Sequence, residues 1–109
     1  QYSEKMKSGF IIGTTLLDQL ISLKNEDELS GGKKVLVWYL EGLLRELRIA
    51  KNVLGLHYYN DIERKLMEVI GRIQVSQFQD AQWSFSEAIS LATTSCQASM
   101  SFLMEKKLV

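Results

Sequence analysis

His57 is the single histidine and Cys96 the single cysteine of a 109-residue chain, so the side chains that most often carry nucleophilic, acid–base or metal chemistry occur one at a time. A zinc or transition-metal site needs three or four such ligands, and neither residue has another histidine or cysteine at ligand spacing. No arginine stands four to six residues before His57 to share acid–base work with it. A nucleophilic Cys96 needs a lowered pKa, but no lysine, arginine or histidine adjoins it, so it reads as a small buried hydrophobe. A di-metal bundle needs Glu-x-x-His, and Leu54 occupies the place of that glutamate. The G-x-S-x-G, phosphate-loop, dinucleotide and zinc patterns are also missing. These observations predict a chain that is not an enzyme, with no cofactor and no metal.

Three weaker constellations offer binding chemistry instead. Ser30-Gly31-Gly32-Lys33-Lys34 resembles a turn into a helix, where free N–H groups and two lysines would surround an anion. It lacks both the preceding strand and the spacing of a phosphate loop, and a flexible charged turn is the preferred reading. Arg45, Arg48 and Lys51 form a basic stripe, interrupted by Glu46 and adjoined by Glu41. With 13 basic against 13 acidic residues and no net charge, that stripe reads as a solvated face, and nucleic acid is not an expected partner. Trp38, Tyr58, Tyr59 and Trp83 could line a small-ligand pocket between helices, although aromatic edge packing is the commoner role.

These residues must be positioned by helices. The chain contains no proline, and its glycines fall mostly near the ends of periodic segments. Met6, Phe10, Gly13, Leu17, Leu20 and Ile21 recur at helical spacing, predicting a first helix over 4–24. Asn25 to Gly32 reads as a loop. Leu36, Leu40, Leu43, Leu47, Ala50 and Leu54 then step by four and three, a heptad-like seam for a second helix over 33–54, with Gly55 as its stop. Glu41 precedes Arg45 by four, the favourable order for an ion pair.

Asn60-Asp61-Ile62-Glu63 is an N-cap signature for a third helix over 61–76, with its seam on Ile62, Leu66, Val69, Ile70 and Ile73. A break near Ser76 to Asp80 gives a fourth helix over 81–106. Without that break, one helix of roughly 67 Å would run from Asp61 to about Glu105 and require other copies of the chain to cover it. The prediction is an all-α single domain, 1–109, forming a small antiparallel bundle of three to four helices that oligomerises.

Charge is unevenly distributed. Between Ile73 and Met104 only Asp80 and Glu87 are charged, and Ser84, Ala88, Ala92 and Cys96 form a small-residue row on the last helix. A helix without a strongly charged outer face is contacted on more than one side. With Gly9 and Gly13, four apart on the first helix, this row is the predicted interface for a second copy or a helical protein partner.

The uncharged run from Ala88 to Met104 is too polar and too short to insert in a membrane. The opening Gln1-Tyr2-Ser3-Glu4 lacks a methionine and reads as a processed or excised piece. No secretion signal is read there, and a lone thiol fits a reducing, cytoplasmic setting.

Overall fold

A computed structural model describes the backbone of residues 2–54 and 59–108 and the side chains of 4–53 and 59–93. Four α-helices follow one another: α1 Tyr2–Ile21, α2 Glu26–Leu54, α3 Tyr59–Gln74 and α4 Phe78–Leu108. Each helix packs on the next, α4 returns to α1, and the two diagonal pairs have no close backbone approach among the described residues. Short connections between successive helices make neighbours antiparallel, so the architecture is an up-down-up-down four-helix bundle. No described helix is long and apolar enough to cross a membrane.

Local chemistry sets the helix ends. Asn25 Oδ1 accepts hydrogen bonds from the backbone N–H groups of Asp27 at 2.8 Å and Glu28 at 3.3 Å. Glu26, Asp27 and Glu28 place negative charge in the first turn, where the helix dipole favours it. Helix α2 therefore starts at Glu26, seven residues before the expected Lys33, and the expected loop over Asn25 to Gly32 is its first turns. Gly31 and Gly32 each cost about 1 kcal/mol relative to alanine, too little to stop a helix with this cap. Gly32 also has a packing role, because a Cβ there would lie 2.9 Å from Leu20 Cδ1.

The expected break after α3 is present. Ser76 adopts φ 63°, its N–H donates to Ile73 O at 3.0 Å, and the N–H of Gln77 donates to Arg72 O at 2.8 Å. That pair of bonds is a Schellman cap, and it turns the chain so that α3 and α4 are separate helices. From α2, Lys33 Nζ donates to Gln74 O at 3.3 Å and Ser76 Oγ at 3.1 Å, placing a cation at the negative end of α3. The third helix begins at Tyr59, so Asn60, expected as its cap, lies inside it.

The heptad seam of α2 is buried from Leu36 to Ala50, and so is the α3 seam on Ile62, Leu66, Val69, Ile70 and Ile73. Met6, Phe10, Leu17 and Leu20 close the core from α1, and Ala81, Phe85, Ala88 and Ala92 close it from α4. Each large apolar side chain taken fully out of water contributes about 1.5–3 kcal/mol. Tyr39 Oη donates to Gly9 O at 3.0 Å, tying α2 to α1. Burial, and then the charge of Glu46, raise the Tyr39 pKa above its ordinary value.

Between α1 and α4, Gln82 Nε2 donates to Asp18 Oδ1 at 2.9 Å and Gly13 lies against Phe85. This antiparallel register carries α4, 31 residues against 20, past the start of α1.

Candidate functional site

The small-residue row predicted as an interface is part of the interior. Ser84, Ala88 and Ala92 are at most 1% exposed. Gly9 and Gly13 are buried beneath the neighbouring helices: a Cβ on Gly9 would meet Leu43 Cδ2 at 2.8 Å, and one on Gly13 would meet Phe85 Cζ at 3.0 Å. The low charge and small side chains of this region let α1 approach α4 within one chain, which corrects its reading as a surface for another. The side chain of Cys96 lies outside the described residues.

The aromatic pocket is not assembled either. Trp38 is on α2 and Trp83 on α4, diagonal helices whose backbones do not approach closely, and the two residues are 66% and 71% exposed. Tyr59 is 1% exposed and belongs to the core, while Tyr58 and His57 lie outside the described residues. Gly31 and Gly32 are helical, which corrects the preferred reading of a flexible turn, and with Lys33 occupied at the end of α3 the alternative, an anion cradle at a helix start, does not form there. Among the described residues no group of three or more histidine, cysteine or acidic side chains could hold a metal ion.

The outer rims of α3 are covered by ion pairs. Lys51 Nζ and Arg48 Nε reach the Glu63 carboxylate at 2.7 and 3.4 Å. The Lys51 hydrogen bond, followed by the Arg48 contact, holds the Glu63 pKa below its ordinary value against the opposing effect of burial. Two of the three cations in the basic stripe are thus committed within the chain. Further along, Lys65 bridges Glu68 and Glu87, and Arg72 bridges Glu68 and Asp80. Hydrogen bonds from Lys65, then Arg72, lower the Glu68 pKa in the same way.

On one surface apolar side chains lie open to solvent. On α2, Gly31, Val35, Trp38, Gly42, Ile49 and Val53 follow helical spacing and share the outer face that borders α1. Val35, Ile49 and Val53 are 59%, 58% and 76% exposed, with Trp38 between them. Ile12 and Leu16 of α1 extend the apolar area sideways, and beside them an apolar groove runs between α1 and α2 over Leu20, Leu23 and Gly32. Glu41 and Arg45 flank the strip and, despite their favourable spacing, make no ion pair among the described residues.

Several exposed apolar side chains on one face, here with Glu46 between Trp38 and Ile49, make this strip the candidate site. Sequence reasoning separated Trp38 from the Leu36 seam but did not join it to Gly31 and Val35. Reading the first turns of α2 as a loop removed Gly31 from the strip and left Val35 in the first turn of the expected helix. The usable signal was the repeat at Gly31, Val35, Trp38 and Gly42, spaced four, three and four.

No protein-family model matches the chain, and no curated protein or solved structure matches it.

Proposed function

We propose that this chain is a non-enzymatic helical-bundle module that acts in the cytoplasm by docking, through self-association or to a protein partner. The apolar strip of α2, extended by Ile12 and Leu16 of α1, is the surface that would carry it. The supporting observation is the exposure of Val35, Trp38, Ile49 and Val53 on one face, with Gly42 between them. A monomer leaving this face in water forfeits about 25 cal/mol per Å2 that a partner would recover on covering it. An exposed tryptophan in an apolar surround is also the residue type that most often dominates a binding interface.

Site-specific photocrosslinking tests the reading. A benzophenone side chain placed at Val35 or Ile49 should form covalent adducts with protein, either this chain or another. The same group at Ser86, on the polar outer face of α4, should form none. If the strip positions give no protein adduct while the chain is folded, the docking reading is wrong.

A further inference from the structure

We infer that the occupant of the strip is a second copy of this chain, with its α2 lying antiparallel across the first and the two-fold axis passing beside Gly42. The inference rests on the docking reading above and adds the identity of the partner.

A two-fold dimer requires a surface that is complementary to itself. Counted from Gly42, the strip and its edge occupy matching offsets on both sides: Trp38 and Glu46 at four, Val35 and Ile49 at seven, Gly31 and Val53 at eleven. In an antiparallel pair centred on Gly42, each residue faces the one at the opposite offset. Val35 of one copy then meets Ile49 of the other, and the side chain of Val53 enters the space left by Gly31. No atom lies within 4 Å of where a Cβ would stand on Gly31 or Gly42. The bare backbone at Gly42 allows the two helices to approach, and the Trp38 rings flank the crossing point.

Charge follows the same symmetry. Under this two-fold operation the same edge of each α2 meets its counterpart, so Glu41, one residue before Gly42, comes within about half a turn of the Arg45 of the other copy, three residues after it, and the reciprocal pair does the same. Both residues are exposed, and neither has an ion pair among the described residues of its own chain. The antiparallel arrangement supplies two reciprocal pairs and places the Arg45 guanidinium close to the Trp38 ring, a favourable cation–π combination. A parallel two-fold pairing would bring opposite edges together and leave these charges on opposite sides of the interface, without each other as partners. The chain has no net charge, so its copies have no bulk repulsion to overcome.

Sedimentation equilibrium on the full chain, over roughly 1 to 100 µM, reads the association directly, because affinities of this order suit a small interface. The natural chain should reach the dimer mass in this range. Glu41→Arg alone and Arg45→Glu alone each set like charges together twice per dimer and should weaken it at least about tenfold. Mixing the two variants should restore a dimer containing one of each, as should the double variant with itself. Circular dichroism confirms that the monomers fold, since both positions are exposed and unpaired.

A natural chain that stays monomeric throughout overturns the second-copy inference. Protein adducts from the strip in the crosslinking test would then keep the docking reading alive with another partner. A dimer whose affinity ignores both single substitutions, or fails to recover in the mixture, overturns the antiparallel pairing at Gly42.

Discussion

Phe85 of α4 sits against Gly13 of α1 with no room for a methyl group between them, whereas Gly42 of α2 has open space on its outer side. The α1/α4 seam and the α2 strip are built from similar materials: glycine, small or aliphatic side chains at helical spacing, and few charges. One is completely buried and the other faces solvent. The difference lies in what stands opposite. The seam is closed by Phe10, Leu17 and Phe85 from helices of the same chain, while nothing in the described chain covers the strip. Low charge and small residues therefore identify a surface that gains by being covered, and topology decides whether the cover is in the same molecule.

The largest effect should come from placing a charge on each surface. Ala92→Glu would bury an unpaired carboxylate where the alanine is 1% exposed. Its desolvation should remove most of the ~5–15 kcal/mol that holds a domain of this size together. Ile49→Glu puts the same group in water and should change the monomer's unfolding free energy, read from urea titration, by no more than about 0.5 kcal/mol. A folded Ala92→Glu chain, judged by circular dichroism and urea titration, would mean that the seam is not a core.

The glycines give a smaller effect of opposite sign. Gly13→Val forces two methyl groups against Phe85 and Leu40, whose nearest atoms already lie at 3.0 and 3.3 Å from a Cβ, and should destabilise by about 1–3 kcal/mol. Gly42→Ala meets nothing and should stabilise the monomer by about 1 kcal/mol through helix propensity alone. If Gly42 lies at the dimer crossing, the same alanine should also weaken association. The two glycines then separate cleanly: one resists any side chain within the chain, the other only between chains. Thermal unfolding at low concentration checks the first statement, and sedimentation checks the second.

Much of the bundle was legible because its determinants are local. Leu36, Leu40, Leu43 and Leu47 repeat every three or four residues, and so do the buried positions of α3, which fixed two helices and their inward faces. The break after α3 was harder to place, because Ser76 takes a left-handed backbone where a glycine would have announced it. Two misreadings had one physical source each. Gly31 and Gly32 suggested a loop, but the Asn25 cap and three acidic residues in the first turn outweigh two glycines, and the loop reading left Gly31 off the outer face. The sparse charge of α4 suggested a partner, but it is covered by α1, far away in sequence, and by α3, folded back on it across the Ser76 turn. Interface and core look alike until those helices are placed. Trp38 was identifiable as lying off the seam, yet its neighbours on the strip were not, because Val35 appeared to be at a helix start.

The smallest effect concerns the rim between α2 and α3, where the comparison can be sharpened by pH. Glu63 is held by Lys51 and Arg48, so its carboxyl pKa lies below the value it has in the unfolded chain. Glu68, held by Lys65 and Arg72, behaves alike. A carboxyl whose folded pKa is depressed stabilises the fold above its unfolded pKa of about 4.3, and that contribution is lost as pH falls through the folded pKa. The urea midpoint should therefore drop on going from about pH 6 to about pH 3. Arg48 is half-exposed and water screens these contacts, so the share due to Glu63 is about 0.5 kcal/mol. Glu63→Gln should lower the midpoint near neutral pH by that amount and flatten part of the acid slope. Glu41→Gln, on the edge of the strip with no ion pair within the chain, should leave the monomer's midpoint at neutral pH where it was. Its effect should appear only at concentrations where the dimer forms, because the partner of Glu41 is then the Arg45 of the other copy. An equal loss for both variants at low concentration would mean that the edge of the strip is already satisfied within one chain, and the contrast between the closed rim and the open strip would fail.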